Sequence, residues 1–510
     1  MKKKLLGVLL CFIVMLDVVS QNNVGELTVN LSFSEKIKSL TKSKGRLYVF
    51  LAENEKPQPR LQTFPNPMSL NHIFATNFSN LNPNQLLVLN STLPWSKTIN
   101  WSLNSIPKGE YFLQILWDQN LDMSRTDAPG NLFSKPQKIT VNGKHTVTVE
   151  IDQIVTERRV ITHKQVKEIK FQSKVLSEWW NKPMYLKASV LLPLNYKSGK
   201  SYPIRYNVAG YGGRYTRVNS IVRNGEFMDW WNSEKSPEII NVFLDGDGPF
   251  GDSYQMDSEN SGPYGKALVY ELIPFIESKY RGTSNALTRF VDGCSTGGWV
   301  SLGLQLYYPD HFNGAFSYSP DAIEFENYQL INIYEDKNIF VNEFGFPRPF
   351  ARFIDGEPFL SMKKFIEFEN VFASSNTYLN SGGQFGSHTA LYSPKGENGL
   401  PKPLFDAETG EIDKSVSEHW KKYDFKIYAR KNWDTLGPKL KGKIFIWMGD
   451  MDHFYLNSSA REFSEFMSNT ENPKSDAEII FDPLEGHCSK FSHRIVLEQI
   501  QDKLKNIKEY

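Results

Sequence analysis

The stretch Arg289-Phe290-Val291-Asp292-Gly293-Cys294-Ser295-Thr296-Gly297 contains an apolar run followed by a G-x-S-x-G motif. The run predicts a buried strand, and helical spacing over 298–308 predicts a helix directly after the motif. A serine between such a strand and helix lies on a tight turn that lifts its hydroxyl above the sheet. Small flanking residues are needed because the backbone passes closely there. Ser295 is therefore our candidate nucleophile.

The same alternation of patterns extends in both directions from this motif. From about residue 156 to the C-terminus, apolar runs typical of buried strands alternate with stretches of helical spacing. This alternation predicts an α/β fold with a mostly parallel sheet and helices on both faces. The expected strands are 185–192, 202–210, 239–245, 288–294, 314–319, 443–449 and 478–483, and the expected helices are 266–280, 298–308, 460–467 and 493–507.

Two segments depart from this pattern. Residues 21–155 carry short alternating apolar runs between Asn, Pro and Gly clusters, which predicts a small antiparallel β domain of sandwich type. Its Trp95, Trp101 and Trp117 fit a hydrophobic core better than a sugar-binding face. Within the α/β domain, 156–510, the residues 322–438 are rich in Gly, Pro, Asn and aromatic residues. We interpret them as a lid-like insertion over one end of the sheet.

Composition excludes several classes of protein. The chain has 58 Lys and Arg against 57 Asp and Glu, with 40% hydrophobic and 23% charged residues. This balance is not typical of a disordered chain or of a nucleic-acid-binding protein, which needs a clustered basic surplus. Three cysteines among 510 residues are too few for a disulfide-built scaffold.

The N-terminus has the pattern of a secretory signal peptide. Three lysines at 2–4 precede an apolar run over 5–16, and cleavage is expected near Ser20. An uncleaved anchor is the alternative, but a membrane span needs about 20 apolar residues, so we expect no stable membrane anchor. The protein is expected to be secreted or periplasmic, where a disulfide between the two remaining cysteines can persist.

A base and an acid for Ser295 follow it in the order Ser, Asp, His that such a strand–turn–helix unit requires. His487 alone among the histidines beyond residue 450 occupies a loop directly after a predicted strand, so we choose it as the base. Asp450 and Asp452 both follow the predicted strand 443–449. Asp452 is preferred because it lies further beyond the strand end, but the sequence leaves Asp450 open.

When a serine attacks a carbonyl group, the carbonyl oxygen becomes negatively charged, and two N–H donors are needed to stabilise this oxyanion. One is usually the residue after the nucleophile, here Thr296, and the second comes from a loop after an early strand. The loop Val208-Ala209-Gly210-Tyr211-Gly212-Gly213 has that position, which makes the Tyr211 N–H the expected second donor.

No metal or organic cofactor is expected. Asp245, Asp247, Asp252, Asp257 and Glu259 crowd one segment, but Pro249 and Met256 stand where a calcium loop needs ligands. We interpret this segment as a solvated loop near the mouth of the active site.

These residues resemble the α/β-hydrolase fold, and in particular the esterase family that includes esterase D and many bacterial feruloyl and acetylxylan esterases. The similarity rests on 188–193, 210–213, 262–265 and 271–274 together with Ser295, Asp452 and His487. It implies the α/β-hydrolase fold and the triad, without implying one substrate. That family commonly has His before the serine, whereas this chain has Cys294.

Cys294-Ser295 and His487-Cys488 are similar to a second esterase group. Tannases and fungal feruloyl esterases carry one Cys before the catalytic Ser and another after the catalytic His, joined by a disulfide. The resemblance implies a Cys294–Cys488 disulfide, which is geometrically reasonable because the Ser and the His must approach within about 3 Å.

The triad and the signal-peptide pattern predict a secreted serine carboxylic-ester hydrolase, and the resemblance implies that it acts on feruloyl or acetyl esters of plant polysaccharides. Aromatic residues of the insertion, namely Phe340, Phe344, Phe346, Phe350 and Tyr378, could contact such a substrate or simply pack. Two alternatives remain at this stage: a serine peptidase on the same fold, and a catalytically inactive protein whose β domain binds glycan.

Overall fold

A computed structural model describes residues 23–197, 199–505 and 507 of the chain. The predicted signal peptide lies outside the described residues. The described chain forms two units: residues up to Glu157 together with Glu367–Thr377, and Arg158–Ile366 together with Tyr378 onward. The predicted boundary falls between residues 155 and 156, and the structure additionally assigns the short segment Glu367–Thr377 to the first unit.

The first unit is built on ten strands in the order β4-β1-β10-β8-β7-β2-β3-β5, with β6 paired to β1 and β9 to β7. Its pairing is antiparallel, as predicted, except between β1 and β10, which run parallel. The strands are β1 (Val24–Phe33), β2 (Gly45–Ala52), β3 (Asn71–Phe78), β4 (Leu87–Leu89), β5 (Ser96–Lys97), β6 (Ile106–Pro107), β7 (Gly109–Asp118), β8 (Leu132–Ser134), β9 (Gln137–Val141) and β10 (Lys144–Ile154).

Strand β2 is buried on both faces. Leu47, Val49 and Leu51 belong to the main core of the unit, which also includes the fully buried Trp117. Tyr48 and Phe50 point to the other face and pack with Val371 of the segment Glu367–Thr377. Alternating side chains of a strand point to opposite faces, so both faces of β2 need apolar partners. Trp95 and Trp101 are partly buried against the main core, in agreement with their expected packing role.

The second unit has the predicted α/β architecture. Its eight-stranded sheet has the order β11-β12-β14-β13-β19-β20-β23-β24, which is parallel from β14 to β24 and antiparallel at β11 and β12. The strands of this unit, including three short two-stranded ribbons, are β11 (Val166–Ser173), β12 (Met184–Leu191), β13 (Ile204–Val208), β14 (Ile240–Leu244), β15 (Asp247–Gly248), β16 (Gly251–Asp252), β17 (Asp257–Ser258), β18 (Gly262–Pro263), β19 (Arg289–Cys294), β20 (Ala315–Tyr318), β21 (Pro349–Arg352), β22 (Pro358–Ser361), β23 (Ile444–Gly449) and β24 (Glu478–Asp482).

Helices follow most strands of this sheet, as the apolar periodicity predicts. None of the helices in the described residues is long and apolar enough to cross a membrane. The α-helices of the described residues are α1 (Glu35–Lys38), α2 (Lys174–Trp180), α3 (Val218–Arg223), α4 (Gly225–Trp231), α5 (Tyr264–Ala267), α6 (Ile273–Tyr280), α7 (Thr296–Tyr307), α8 (Met362–Phe372), α9 (Gln384–Tyr392), α10 (Lys414–Trp420), α11 (Phe425–Leu440), α12 (Leu456–Ser468) and α13 (His493–Lys505), with a π-helical turn Leu268–Leu272 between α5 and α6.

A buried ion pair joins two central strands of the second sheet. Arg205 on β13 and Asp292 on β19 are fully buried, and their side chains form two hydrogen bonds of 2.7 and 2.6 Å. Arg205 Nη2 also lies 3.1 Å from Nδ1 of His493, the first residue of α13. Since a guanidinium can only donate, Nδ1 accepts this hydrogen bond and carries no proton.

Candidate active site

Ser295 occupies the turn between β19 and α7. Its backbone has φ 60° and ψ −128°, a conformation that is strained for a residue with a side chain. A Cβ on Gly293 would lie 2.5 Å from the Val208 oxygen, and one on Gly297 would lie 2.3 Å from the same atom. Both motif glycines are therefore required by the close approach of β13, and the strained turn presents the serine side chain at the end of the sheet.

Asp452 and His487 lie in contact at the ends of two neighbouring strands. His487 Nδ1 is 2.6 Å from Asp452 Oδ2, and Asp452 is fully buried. The other carboxylate oxygen, Oδ1, accepts from the N–H of Phe454 at 2.9 Å and of Leu456 at 3.3 Å. The turn after β23 therefore holds the carboxylate in one orientation. Asp450, the alternative acid, forms an ion pair with Arg461 instead.

A disulfide joins Cys294 to Cys488 across 194 positions of sequence, with the two Cα atoms 6.0 Å apart. The Cys488 N–H also donates to the Ser319 hydroxyl at 3.1 Å. These links place the His487 loop next to the Ser295 turn. Within the described chain, Ser295 and His487 share no hydrogen bond, because the Ser295 hydroxyl donates to Asp321 Oδ1 at 3.3 Å. Catalytic hydrogen bonds of this kind often form only once substrate is bound.

Asp321 is the main site residue that sequence reasoning missed. This carboxylate follows β20, is 2% exposed, and accepts through Oδ2 from Thr296 Oγ1 at 2.8 Å, Tyr254 Oη at 2.9 Å and Gln384 Nε2 at 3.3 Å. Burial alone would raise the pKa of Asp321, but the nearby His388 and the hydroxyl donors outweigh burial and hold the pKa below its usual value. A carboxylate is thus kept ionised directly beside the candidate nucleophile.

His388 lies behind Asp321 in the same hydrogen-bonded network. Its Nε2 is 2.6 Å from Tyr254 Oη and 3.6 Å from Asp321 Oδ2, and its Nδ1 is 2.6 Å from Tyr328 Oη. Every arrangement that lets Tyr254 donate to Asp321 needs a proton on Nε2, which then donates to the Tyr254 hydroxyl. No motif marks His388, since it comes from the insertion and meets Asp321 only in the folded chain.

The loop predicted to supply the oxyanion donor lies beside Ser295. A Cβ on Gly210 would be 3.6 Å from Ser295 Cβ, so the backbone of Gly210 passes close to the nucleophile. The Tyr211 hydroxyl donates to the Gly382 carbonyl, which fixes the loop to the insertion. Thr296 is the first residue of α7, where a helix has no carbonyl partner for its N–H groups.

The acidic segment 245–259 is not the solvated loop that we expected. Asp252 is 7% exposed and accepts from the N–H of Tyr254 at 2.9 Å, and burial raises its pKa to about 7. Ser258 and Asn260 donate to carbonyls at the end of α9. These three side chains satisfy backbone groups inside the fold rather than contacting water. Among the described residues, no cluster of His, Cys, Asp and Glu could hold a metal ion.

The sequence matches the model of the family described as "Putative esterase" over residues 183–494. This range contains β12 through the first residues of α13 and includes Ser295, Asp452 and His487. The chain belongs to this esterase family. Its fold class and its activity as a carboxylic-ester hydrolase follow from that membership, and the esterase-D-like resemblance of the sequence is confirmed.

Solved structures similar to the esterase include a ferulic acid esterase, which is 17% identical, with 67% of this chain and 97% of that chain covered at a TM-score of 0.41. A ferulic acid esterase from Anaeromyces mucronatus is 13% identical, covering 69% and 93% at a TM-score of 0.32. An S-formylglutathione hydrolase from Agrobacterium tumefaciens is 12% identical, covering 68% and 95% at a TM-score of 0.37. A comparison with curated proteins found no match.

The aromatic residues of the insertion divide into two groups in the esterase. Phe340, Phe350 and Tyr378 are buried and pack with other residues of the second unit. Phe344 and Phe346 are 75% and 67% exposed. Three of the five aromatics therefore have a packing role, and two remain available at the surface.

Proposed function

We propose that the esterase is a secreted serine carboxylic-ester hydrolase in which Ser295, His487 and Asp452 form the catalytic triad. The observation that carries this proposal is the buried Asp452–His487 pair, tied through the Cys294–Cys488 disulfide to the strained turn of Ser295. Since Asp452 occupies Nδ1 of His487, the Nε2 nitrogen is the one left to act as base.

The proposed reaction has two half-reactions. Turning the Ser295 side chain from Asp321 towards His487 lets Nε2 take the hydroxyl proton while Oγ attacks the ester carbonyl. The N–H groups of Tyr211 and Thr296 stabilise the oxyanion, and the alcohol leaves with the proton from His487. Water then attacks the acyl-enzyme by the same route and releases the acid.

Feruloyl or acetyl esters of plant polysaccharides are the proposed substrates. The support is the Cys-Ser and His-Cys arrangement, which resembles that of tannases and fungal feruloyl esterases. Secretion is proposed from the lysines at 2–4 and the apolar run over 5–16, and the disulfide suits an oxidising compartment.

The test is hydrolysis of p-nitrophenyl acetate, methyl ferulate and an amide chromogen by the wild type and by Ser295→Ala. We expect ester cleavage by the wild type and a loss of roughly 10⁴-fold or more in kcat for Ser295→Ala. Ser301→Ala is the matched control, because the Ser301 hydroxyl is buried on α7 and bonds to the Gly298 carbonyl. Equal ester cleavage by all three proteins would contradict the proposal, and preferential amide cleavage would indicate a peptidase.

A further inference from the structure

A small pocket is lined in part by Ser295 itself, and the reaction described above assigns no ligand group to it. Asp321, Gln329 and Gln384 form much of its polar wall. Phe454 lines it on another side and packs edge-on against the His487 ring, with centroids 5.1 Å apart. The cavity volume is about 20 Å³, which suits one small polar group. The pocket thus adjoins both the nucleophile and the base.

Gln329 lines this pocket and carries a side-chain acceptor without a partner in the described part of the chain. The side chain is only 4% exposed, and its Oε1 has no hydrogen-bond partner among the described residues. A buried acceptor without a donor is unfavourable, because the group loses its hydrogen bonds to water on burial. The turn that holds it is also unfavourable: Tyr328 and Ile331 exchange two backbone hydrogen bonds, and the residues between them, Gln329 and Leu330, have φ of 50° and 64°. The unpartnered acceptor and the positive φ angles are both understandable if the Gln329 amide binds a ligand.

Asp321 gains a free acceptor at the moment when the reaction begins. Its Oδ2 is occupied by Thr296, Tyr254 and Gln384, whereas Oδ1 is occupied by the Ser295 hydroxyl. Attack requires this hydroxyl to turn towards His487, which removes the donor from Oδ1. A second donor arriving with the substrate would replace it and would favour the reactive orientation of Ser295.

We propose that this pocket binds a hydrogen-bond-donating substituent, a hydroxyl or an ammonium, on the carbon next to the carbonyl carbon of the ester or next to the esterified carbon of the alcohol. Asp321 Oδ1 and Gln329 Oε1 are its acceptors. The distance of 3.3 Å between Ser295 Oγ and Asp321 Oδ1 places only substituents adjacent to the reacting ester within reach. The donor can be on the acid, as in an α-hydroxy or α-amino acyl group, or on the alcohol, as in the hydroxyl beside an esterified sugar carbon. This inference rests on the proposed role of Ser295 as nucleophile.

Four small esters distinguish a donor on the acid from a donor on the alcohol. Ethyl acetate has no donor, and 2-hydroxyethyl acetate has a hydroxyl on the alcohol. Ethyl glycolate and glycine ethyl ester have a donor on the acid. Each kcat/KM, measured by pH-stat titration, is divided by the rate of hydroxide-catalysed hydrolysis of the same ester, which removes differences in intrinsic reactivity. In the wild type we expect at least one donor-bearing ester to exceed ethyl acetate by roughly 10- to 100-fold, the range for hydrogen bonds to a charged acceptor. The preferred ester then identifies the source.

Gln329→Leu and Asp321→Asn test the two acceptors, and each should reduce this preference about tenfold. Gln305→Leu is the matched control, because Gln305 is a fully buried glutamine of α7 whose Oε1 also has no partner among the described residues, and it does not line the pocket. Its preference should equal that of the wild type. If Gln329→Leu does not fold, the kcat/KM values of the four esters with the wild type and with Asp321→Asn still test the proposal.

No preference in the wild type, or a preference that both pocket variants retain, would overturn the inference. Failure of the proposed function gives a different result, since the wild type would then cleave p-nitrophenyl acetate no faster than Ser295→Ala. If the wild type cleaves p-nitrophenyl acetate faster than Ser295→Ala but shows no preference for donor-bearing esters, only the assignment of the pocket is contradicted.

Discussion

His487 Nδ1 and Asp452 Oδ2 lie 2.6 Å apart, at the ends of strands β24 and β23. Burial lowers the pKa of His487, but the charge and hydrogen bond of Asp452, with a further contribution from the Asp321 carboxylate, outweigh burial and raise the pKa above its usual value. The base of the proposed triad is therefore more basic than a free imidazole, and the two carboxylates responsible can be changed one at a time.

Asp452→Asn should lower both the rate and the pH at which activity begins. Because the reaction needs neutral His487, kcat/KM should rise with pH through the raised pKa, above about 6.5 in the wild type. The substitution removes the main interaction that raises this pKa, so the acid limb should move to lower pH while kcat falls by about 10⁴-fold. The measurement is the pH profile of kcat/KM for p-nitrophenyl acetate. An unchanged limb would exclude His487 as the group that titrates.

Removing the Cys294–Cys488 disulfide should destabilise the protein. The bond closes a loop across 194 sequence positions, for which the chain-entropy model gives up to about 5 kcal/mol. We expect the double variant Cys294→Ala, Cys488→Ala to have a lower thermal midpoint and a reduced kcat, because the His487 loop is then less constrained. Thermal unfolding with and without reductant provides the check: the wild type should respond to reductant and the double variant should not. Equal midpoints for the two proteins would show that the bond adds no stability.

Arg352 should act as a positioning residue for Asp452. Its Nε donates to the Asp452 carbonyl at 2.9 Å, its Nη2 donates to the Asp450 carbonyl at 2.8 Å, and its guanidinium stacks 4.6 Å from the Tyr455 ring centroid. Arg352→Met should lower kcat roughly tenfold with a smaller change in KM, because small displacements of a catalytic group are costly.

The matched control for Arg352 is Arg461→Met, which removes an exposed arginine from the side chain of Asp450 in the same turn. Steady-state kinetics of the two variants should differ in kcat. If both variants lose activity equally, general loss of charge at this turn, and not the position of Asp452, is responsible.

His493 should make the folded protein sensitive to acid. Burial, together with the charges of Arg205 and Arg217, lowers the pKa of His493 well below its usual value. Below pH 6.5 the unfolded chain therefore binds a proton at this residue, whereas the folded protein does not. As the pH decreases in this range, the free energy of unfolding falls by up to about 1.4 kcal/mol for each pH unit.

His493→Gln keeps an acceptor for Arg205 and removes the titrating group. Denaturant unfolding should show that the free energy of unfolding falls less between pH 7 and pH 5 in the variant than in the wild type. The difference should approach about 1.4 kcal/mol per pH unit, the value for one proton. Parallel declines in the two proteins would mean that other groups account for the acid sensitivity.

The strands and the nucleophile turn could be predicted because their signals are local. Apolar runs such as 289–294 and 443–449 form strands β19 and β23, and the G-x-S-x-G motif forms the strained turn. The proximity of His487 to Asp452 was expected only from chain order and resemblance, since their side chains meet through the pairing of β23 with β24.

Asp321 and His388 could not be predicted, because their signal is not local. Asp321 follows a strand as many surface aspartates do, and its partners Tyr254 and Gln384 come from segments distant in sequence. The acidic segment 245–259 was misjudged for the same reason. Ser258 and the adjacent Asn260 donate to carbonyls at the end of α9, which no sequence pattern near residue 250 reveals.

The segment Glu367–Thr377 covers strand β2 of the first unit, where Val371 and Phe372 accept hydrogen bonds from Arg46 and Tyr48. The chain must therefore leave this unit at Glu157 and return to it more than 200 residues later. A fragment cut after Glu157 would expose Tyr48 and Phe50, and a homologue that lost residues 23–157 would leave Phe368 and Val371 without their partners. The β domain and the insertion of this esterase are consequently expected to be inherited or lost together, because a single recombination point cannot separate them without uncovering a hydrophobic surface.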